Sequence, residues 1–338
     1  MPTINAIIAY RSLARQIGIF HAADLPSDQL GVHHTSKAQR DCIVTSLPFF
    51  TADVFTTTRF GGNPLAVVIG GETLDSATMQ AIAAEFNLSE TTFVLPPADP
   101  AHTARIRIFN RTAEMAFAGH PMVGTAFVLA GLNPDLAEAI FEIPAGLVRV
   151  SIERDAAGVA TGAAVTTPQP LTTGAALAPE VIARVLRLNA QDVVTITHPP
   201  IVASNGNPYV IAELTDAALA RCSPDLEAFR AALAAHPQEG NRFSVHVYCR
   251  HARKLRARMF APLAGTWEDP ATGSANAPLA CLLLSLEAEH EAAAFSIQQG
   301  VEMGRPSLLH VEARRAAEGI VATLHGSCVA VMQGEIRL

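Results

Sequence analysis

Apolar and polar positions along this chain fall into many short strand-like runs and only a few helical ones. "LPFFTADVF" (47–55) and "PLAVVIG" (64–70) read as strands joined by the turn Gly61-Gly62-Asn63-Pro64. "LDSATMQAIAAEFN" (74–87) reads as a helix, with Met79, Ile82, Ala83 and Phe86 on one face and Asp75 or Ser76 as its cap. Strands are expected in "SETTFVLPP" and "ARIRIF", then an apolar helix from about Met122 to Ala130, then strands at 138–143, 147–152 and 159–166. The stretch "TTPQPLTTGAALAPE" (166–180) has turn residues and no period, so it reads as a linker. Beyond it the theme returns. A helix "PEVIARVLRL", strands near 193–196 and 209–213, and an Ala-rich helix around 224–235 lead to strands at 243–248 and 255–260, and a second apolar helix covers 274–286. Many short strands around one buried helix per half predict an α+β fold of two pseudo-symmetric domains, each a curled, mostly antiparallel sheet around a central helix.

The two apolar helices open on related motifs. "GHPMVGTAFVLA" (119–130) and "DPATGSANAPLA" (269–280) share the form [HD]-P-x-x-G-[ST]-A, which pairs His120 with Asp269 at a spacing of 149. Each copy follows an Arg-rich strand ending in Phe, Phe109 in one and Phe260 in the other. Such a spacing is far longer than a solenoid period and indicates two similar halves, 46–168 and 178–338, with the last strand free to pack back on the first. A helix start leaves backbone N–H groups unpaired and carries partial positive charge, so a glycine turn feeding one is a ready anion site. The plainer reading of Asp269 and Ser274 is helix capping.

A chain of 338 residues is comfortable for two cores, and 49% apolar against 16% charged residues supplies the material for two buried helices. The net charge of −7 argues against a nucleic-acid partner. The one basic cluster, "RHARKLRAR" (250–258), reads as a solvated strand edge. Cys42, Cys222, Cys249, Cys281 and Cys328 are odd in number and lack any C-x-x-C pair, so neither a disulfide framework nor a zinc site is indicated, and a reducing cytoplasm fits best. The His residues show no metal-binding spacing, no apolar run reaches membrane length, and "INAIIAY" is too short for a signal segment.

Five motifs in order, "DVFTTTRFGGNPLAVV", "FNLSETTFV", "FAGHPMVGTA", "EDPATGSA" and "QQGVEMGRPS", give the chain from Leu47 to its end a resemblance to the phenazine-biosynthesis isomerase (PhzF-like) family. The resemblance implies the diaminopimelate epimerase fold with the active site between the halves. It also implies a cofactor-independent enzyme that moves a proton on a small carboxylate, as a homodimer. By its residues alone, Glu90 between a helix and a strand reads as a surface charge. The resemblance instead makes Glu90 the catalytic carboxylate, which needs burial to raise its pKa toward the working pH. It places His120 and Asp269 opposite one another as acid–base partners, Gly119, Gly273 and Ser274 on the substrate carboxylate, Ser89 beside the acid and Asn63 in the G-N-P turn on the site wall. Related two-thiol racemases of this fold carry cysteines where this chain has Ala118 to His120 and Thr272 to Ser274, so thiol chemistry is not expected. Where the family usually has Thr-Pro, this chain has Asn110-Arg111, and Arg111 is either a surface charge or a group reaching toward the cleft. Residues 1–45 lie outside the resemblance and are expected to be dispensable for catalysis. Three functions fit: an isomerase, a lyase using the same Glu90 on a hydroxy or amino acid, and a binding protein without turnover.

Overall fold

The computed structural model describes residues 46–237 and 242–338, and the expected N-terminal extension, 1–45, lies outside them. The described chain has eighteen strands linked through hydrogen bonds into one strongly curved sheet system. In the first half, Asn63–Ile69 crosses over through the helix Ser76–Phe86 to run parallel to Glu90–Leu95. Asp75 starts that helix by accepting from the Thr78 N–H at 2.7 Å, and Asn87 ends it in the left-handed conformation. Glu90–Leu95 pairs antiparallel with Ala104–Phe109, which pairs in turn with the short strand Glu114–Met115. The helix Gly119–Leu132 then carries the chain to Glu138–Ile143, parallel to Ala104–Phe109, and two antiparallel strands complete the half. That helix is apolar on nearly every side and is buried on nearly every side, as a helix wrapped by sheet must be.

The second half repeats the order with different residues. Pro208–Leu214 is parallel to Val245–His251, which pairs antiparallel with Lys254–Ala261 and through it with Thr266–Asp269. The second central helix, Gly273–Ser285, leads to Ala292–Gln299, parallel to Lys254–Ala261, and to two antiparallel strands. The last of these, Gly319–Arg337, leaves the second half and pairs with Ala160–Thr166 and Ser46–Val54 of the first. Residues of both central helices and of this shared strand belong to one continuous core.

Three expectations are corrected. The stretch read as a linker contains a strand, Thr172–Ala176, an exposed run of small residues that pairs antiparallel with Ile201–Ser204. The basic run is no solvated edge: Lys254–Ala261 has strands on both sides, and Arg258 is buried. Its guanidinium forks onto Glu268 at 2.8 Å through both Nε and Nη2 and donates to the carbonyls of Leu219 and Cys222, which offsets the cost of burial. Finally, the repeat has a different register. The helices begin at Gly119 and Gly273, with Ala118 and Thr272 at the N-cap positions, and Met115 pairs with Ile108 as Asp269 pairs with Met259. Gly119-His120 therefore superposes on Gly273-Ser274, and the counterpart of Asp269 is Met115. The shared letters do different work: Gly124 lets the first helix touch Leu65 and Val54, while Gly273 opens onto the cleft.

Candidate active site

One cavity lies where the two central helices begin. A Cβ on Gly119 would stand 3.9 Å from the Cα of Gly273 and from the N of Ser274, so the two N-termini converge on nearly one point. Unpaired N–H groups and aligned peptide dipoles from two helices make this the natural seat of a carboxylate. Ser89, Glu90, Gly119, His120, Asp269, Gly273 and Ser274 all line the cavity. Asn63 does not: it is fully buried behind Asp269, where its Nδ2 donates to Asp269 Oδ1 at 3.1 Å and to the Ala271 carbonyl at 2.9 Å.

Glu90 enters from the first residue of its strand, at even parity with Thr92 and Val94, and so turns toward the central helix. Its Oε2 faces His120 Nε2 at 3.3 Å, yet neither atom has a hydrogen-bond partner among the described residues. Burial, reinforced by the nearby Asp269 and opposed by Arg111, pushes the Glu90 carboxyl up to about 8. Burial also holds the His120 imidazole down to about 3, so it is neutral at physiological pH. Asp269 is raised to about 6 by burial, against hydrogen bonds from Thr272, Asn63 and Ser89 and the charge of Arg111. The three groups thus differ in state near neutrality: Glu90 largely protonated, His120 neutral, Asp269 largely ionised. Environments that separate titratable groups in this way are characteristic of acid–base sites.

Asp269 is the most firmly held. Thr272 Oγ1 donates to its Oδ2 at 2.5 Å, which is why Thr272, although at the helix N-cap, makes no side-chain capping bond. Buried Gln299 braces the turn before the helix: its Oε1 accepts from the Thr272 N–H and from Asn276 Nδ2, while its Nε2 donates to Thr272 Oγ1 and to the Asp269 carbonyl. Tyr209 closes another wall, its hydroxyl 2.7 Å from Ser274 Oγ. Arg111 is half-buried and reaches across to the Gly265 carbonyl at 3.2 Å.

Sequence reasoning missed Thr272, Gln299, Tyr209, Ser244 and Arg242, all part of this wall or its support. Thr272 and Gln299 lay inside the motifs quoted above, within reach of a closer reading. Ser244 is detectable only from the strand pairing, which makes it the second-half counterpart of Glu90. No cysteine among the described residues lines the cavity, and the two helix-cap positions hold Ala118 and Thr272. No helix among the described residues is long and apolar enough to cross a membrane.

The sequence matches the phenazine biosynthesis-like protein family (PhzC–PhzF) over residues 52–334. An uncharacterized isomerase of Mesorhizobium japonicum is 40% identical over 294 residues, covering 84% of this chain and 96% of its own. The trans-2,3-dihydro-3-hydroxyanthranilate isomerase of Pseudomonas chlororaphis is 35% identical over 288 residues, covering 85% and 98%. Among solved structures, a PhzF-family phenazine biosynthesis protein of Bacillus anthracis superposes with a TM-score of 0.76 at 25% identity, over 87% of this chain and all of the other.

Proposed function

The chain belongs to the phenazine biosynthesis-like family and is an isomerase, and from that premise we propose that it moves a proton on a small carboxylate substrate, without a cofactor, by means of Glu90. The observation that carries this reading is the Glu90 carboxyl itself: raised to about 8 by desolvation, and with a buried Oε2 that no described residue hydrogen-bonds, at the point where two helix N-termini converge. An unsatisfied buried oxygen is costly unless a ligand completes it.

In the proposed reaction the substrate carboxylate sits on the backbone of Gly119, Gly273 and Ser274. Ionised Glu90 takes a proton from one carbon, and the resulting negative charge is delocalised through the carboxylate under the positive ends of both helices. The protonated carboxyl returns the same proton to a second carbon, so atoms and charge balance and the enzyme is regenerated. Neutral His120 and ionised Asp269 hold a hydroxyl or amino group of the substrate from opposite sides, and Ser89 helps to orient the acid. The homodimer implied by the family resemblance is part of this proposal, and light scattering on the full chain tests it.

Incubation in D2O with a panel of cyclic hydroxy and amino carboxylates, beginning with the dihydro-hydroxyanthranilate for which a relative is named, decides the chemistry by NMR. Deuterium appearing at carbon in the wild type and not in Glu90→Gln is expected. Loss of water or amine in its place identifies a lyase, and binding with neither outcome identifies a protein without turnover.

A further inference from the structure

The cleft does not end at its carboxyl groups. Past Met115, Tyr209 and Ser244 it runs into a second concavity formed by Gly206, Asn207 and Pro208, and Arg242 lines both. Arg242 is exposed and makes no hydrogen bond or ion pair among the described residues. Among the described residues Arg111 donates to the carbonyl of Gly265 alone, and its charge reaches both Glu90 and Asp269. Elsewhere the arginines near the site have acidic partners: Arg107 forks onto Glu114, Arg258 onto Glu268, and Arg305 meets Asp53. Glu114, which also lines the outer concavity, is thereby compensated and does not answer Arg242.

Arg242, a guanidinium with no acidic partner among the described residues, therefore lines the mouth of a cleft in a chain of net charge −7, and the charge of half-buried Arg111 acts on the carboxyl groups inside it, while the inner end relies on helix termini. A guanidinium binds anionic oxygens through paired charge-assisted hydrogen bonds, and a concave low-dielectric wall focuses its field on the opening. We propose that the substrate carries two anionic groups, one carboxylate at the converging helix N-termini and a second anionic group held at the mouth by Arg242, with the charge of Arg111 adding to the field. This rests on the proton-transfer reading of the cleft, which assigns the inner end to the first carboxylate. The second group is a carboxylate or a phosphate, the shared chemistry being anionic oxygens in a plane or fork that matches a guanidinium.

Isothermal titration calorimetry on the full chain tests this with glutarate against valerate, adipate against caproate, and 4-phosphonobutyrate as the phosphate-like arm. Each doubly anionic ligand should bind at least roughly tenfold more tightly than its singly charged match, the worth of one hydrogen-bonded charge pair. That margin should shrink as salt is raised. Arg242→Ala should remove most of the margin while leaving the monocarboxylate affinity within about twofold, and Arg242→Lys should retain part of it. A phosphonate preference over glutarate identifies the second group as a phosphate. Equal affinities within each matched pair, or a margin that survives both Arg242→Ala and Arg111→Ala, overturn the inference while leaving the helix-terminus site standing. Failure of both ligand classes to bind overturns that site as well, and the proton-transfer reading with it.

Discussion

At the scale of single residues, burial decides the proton inventory of the cleft. Glu90→Gln keeps shape and hydrogen-bonding capacity but cannot carry a proton, so turnover should fall about a hundredfold or more with ligand affinity preserved. Wild-type rates in that variant would remove Glu90 from the mechanism. With its carboxyl raised to about 8, the ionised base becomes scarcer as pH falls, so kcat/KM should climb with pH and level off near that value. An ascending limb near the ordinary carboxylate range would show instead that another group is titrating. The same shift has a stability consequence of definite sign. A carboxyl raised by folding stabilises the fold fully below its unfolded value of 4.5, and that stabilisation is lost as pH rises through about 8. Urea midpoints should therefore show Glu90→Gln gaining on the wild type between pH 5 and pH 9, by on the order of a few kcal/mol. Thr272→Val removes the hydroxyl that holds Asp269 ionised, so a carbon-13 NMR titration of Asp269 should move up by roughly one pH unit, and Thr272→Ser should restore it.

At the scale of elements, the two central helices show how one residue type serves packing at one place and binding at another. A Cβ on Gly124 would meet Leu65 Cδ2 at 2.6 Å and Val54 Cγ2 at 2.7 Å, and both of those side chains are fully buried. Alanine gains up to about 1 kcal/mol in helix propensity, but the clash with immobile core atoms outweighs it. Gly124→Ala should therefore destabilise the protein by about 1–3 kcal/mol, measured as a fall in Tm. At Gly119 the nearest atom to an added Cβ is Leu324 Cδ1 at 3.7 Å, so Gly119→Ala should fold normally. Its methyl group would project between the two helix starts and raise KM for a carboxylate substrate. A Tm loss at Gly119 larger than at Gly124 would contradict this division of roles. Local pattern revealed both helices to within a few residues because each is an unbroken apolar run, whereas the strand at 172–176 was hidden by its Gly and Thr residues, which read as turn and strand alike.

At the scale of the whole molecule, the halves repeat in topology but share one core. Ala52, Val123, Leu283 and Leu324 belong to the same cluster, and the last strand, Gly319–Arg337, is hydrogen-bonded to strands of both halves. Calorimetric and van't Hoff enthalpies of unfolding should accordingly agree, with one transition; two resolved transitions would show that the halves hold together only weakly. The strand Ser46–Val54 already has neighbours on both edges, Asn63–Ile69 and Gly319–Arg337. A chain beginning near Val44 should therefore remain folded with an unchanged rate per folded molecule, and loss of activity in a normally folded product would count against it.

The amino-acid sequence by itself determined the α+β class, most of the strands, the two buried helices and the family, because periodicity and motif are local properties that survive without neighbours. Of the eight candidate residues that the family resemblance implies, seven line one cavity, because the motifs that carry the resemblance lie at the strand and helix ends that meet there. Tertiary structure alone decided the rest. The repeat register follows from strand pairing and helix caps, which superpose His120 on Ser274 and not on Asp269, so similar letters at a constant spacing misled. Asn63 moved from the wall to the support of Asp269, and Arg258 from an edge to the interior, because burial depends on what packs above a residue. The protonation states of Glu90, His120 and Asp269 belong to the same class: desolvation is produced by the assembled halves, and no segment of the chain carries it alone.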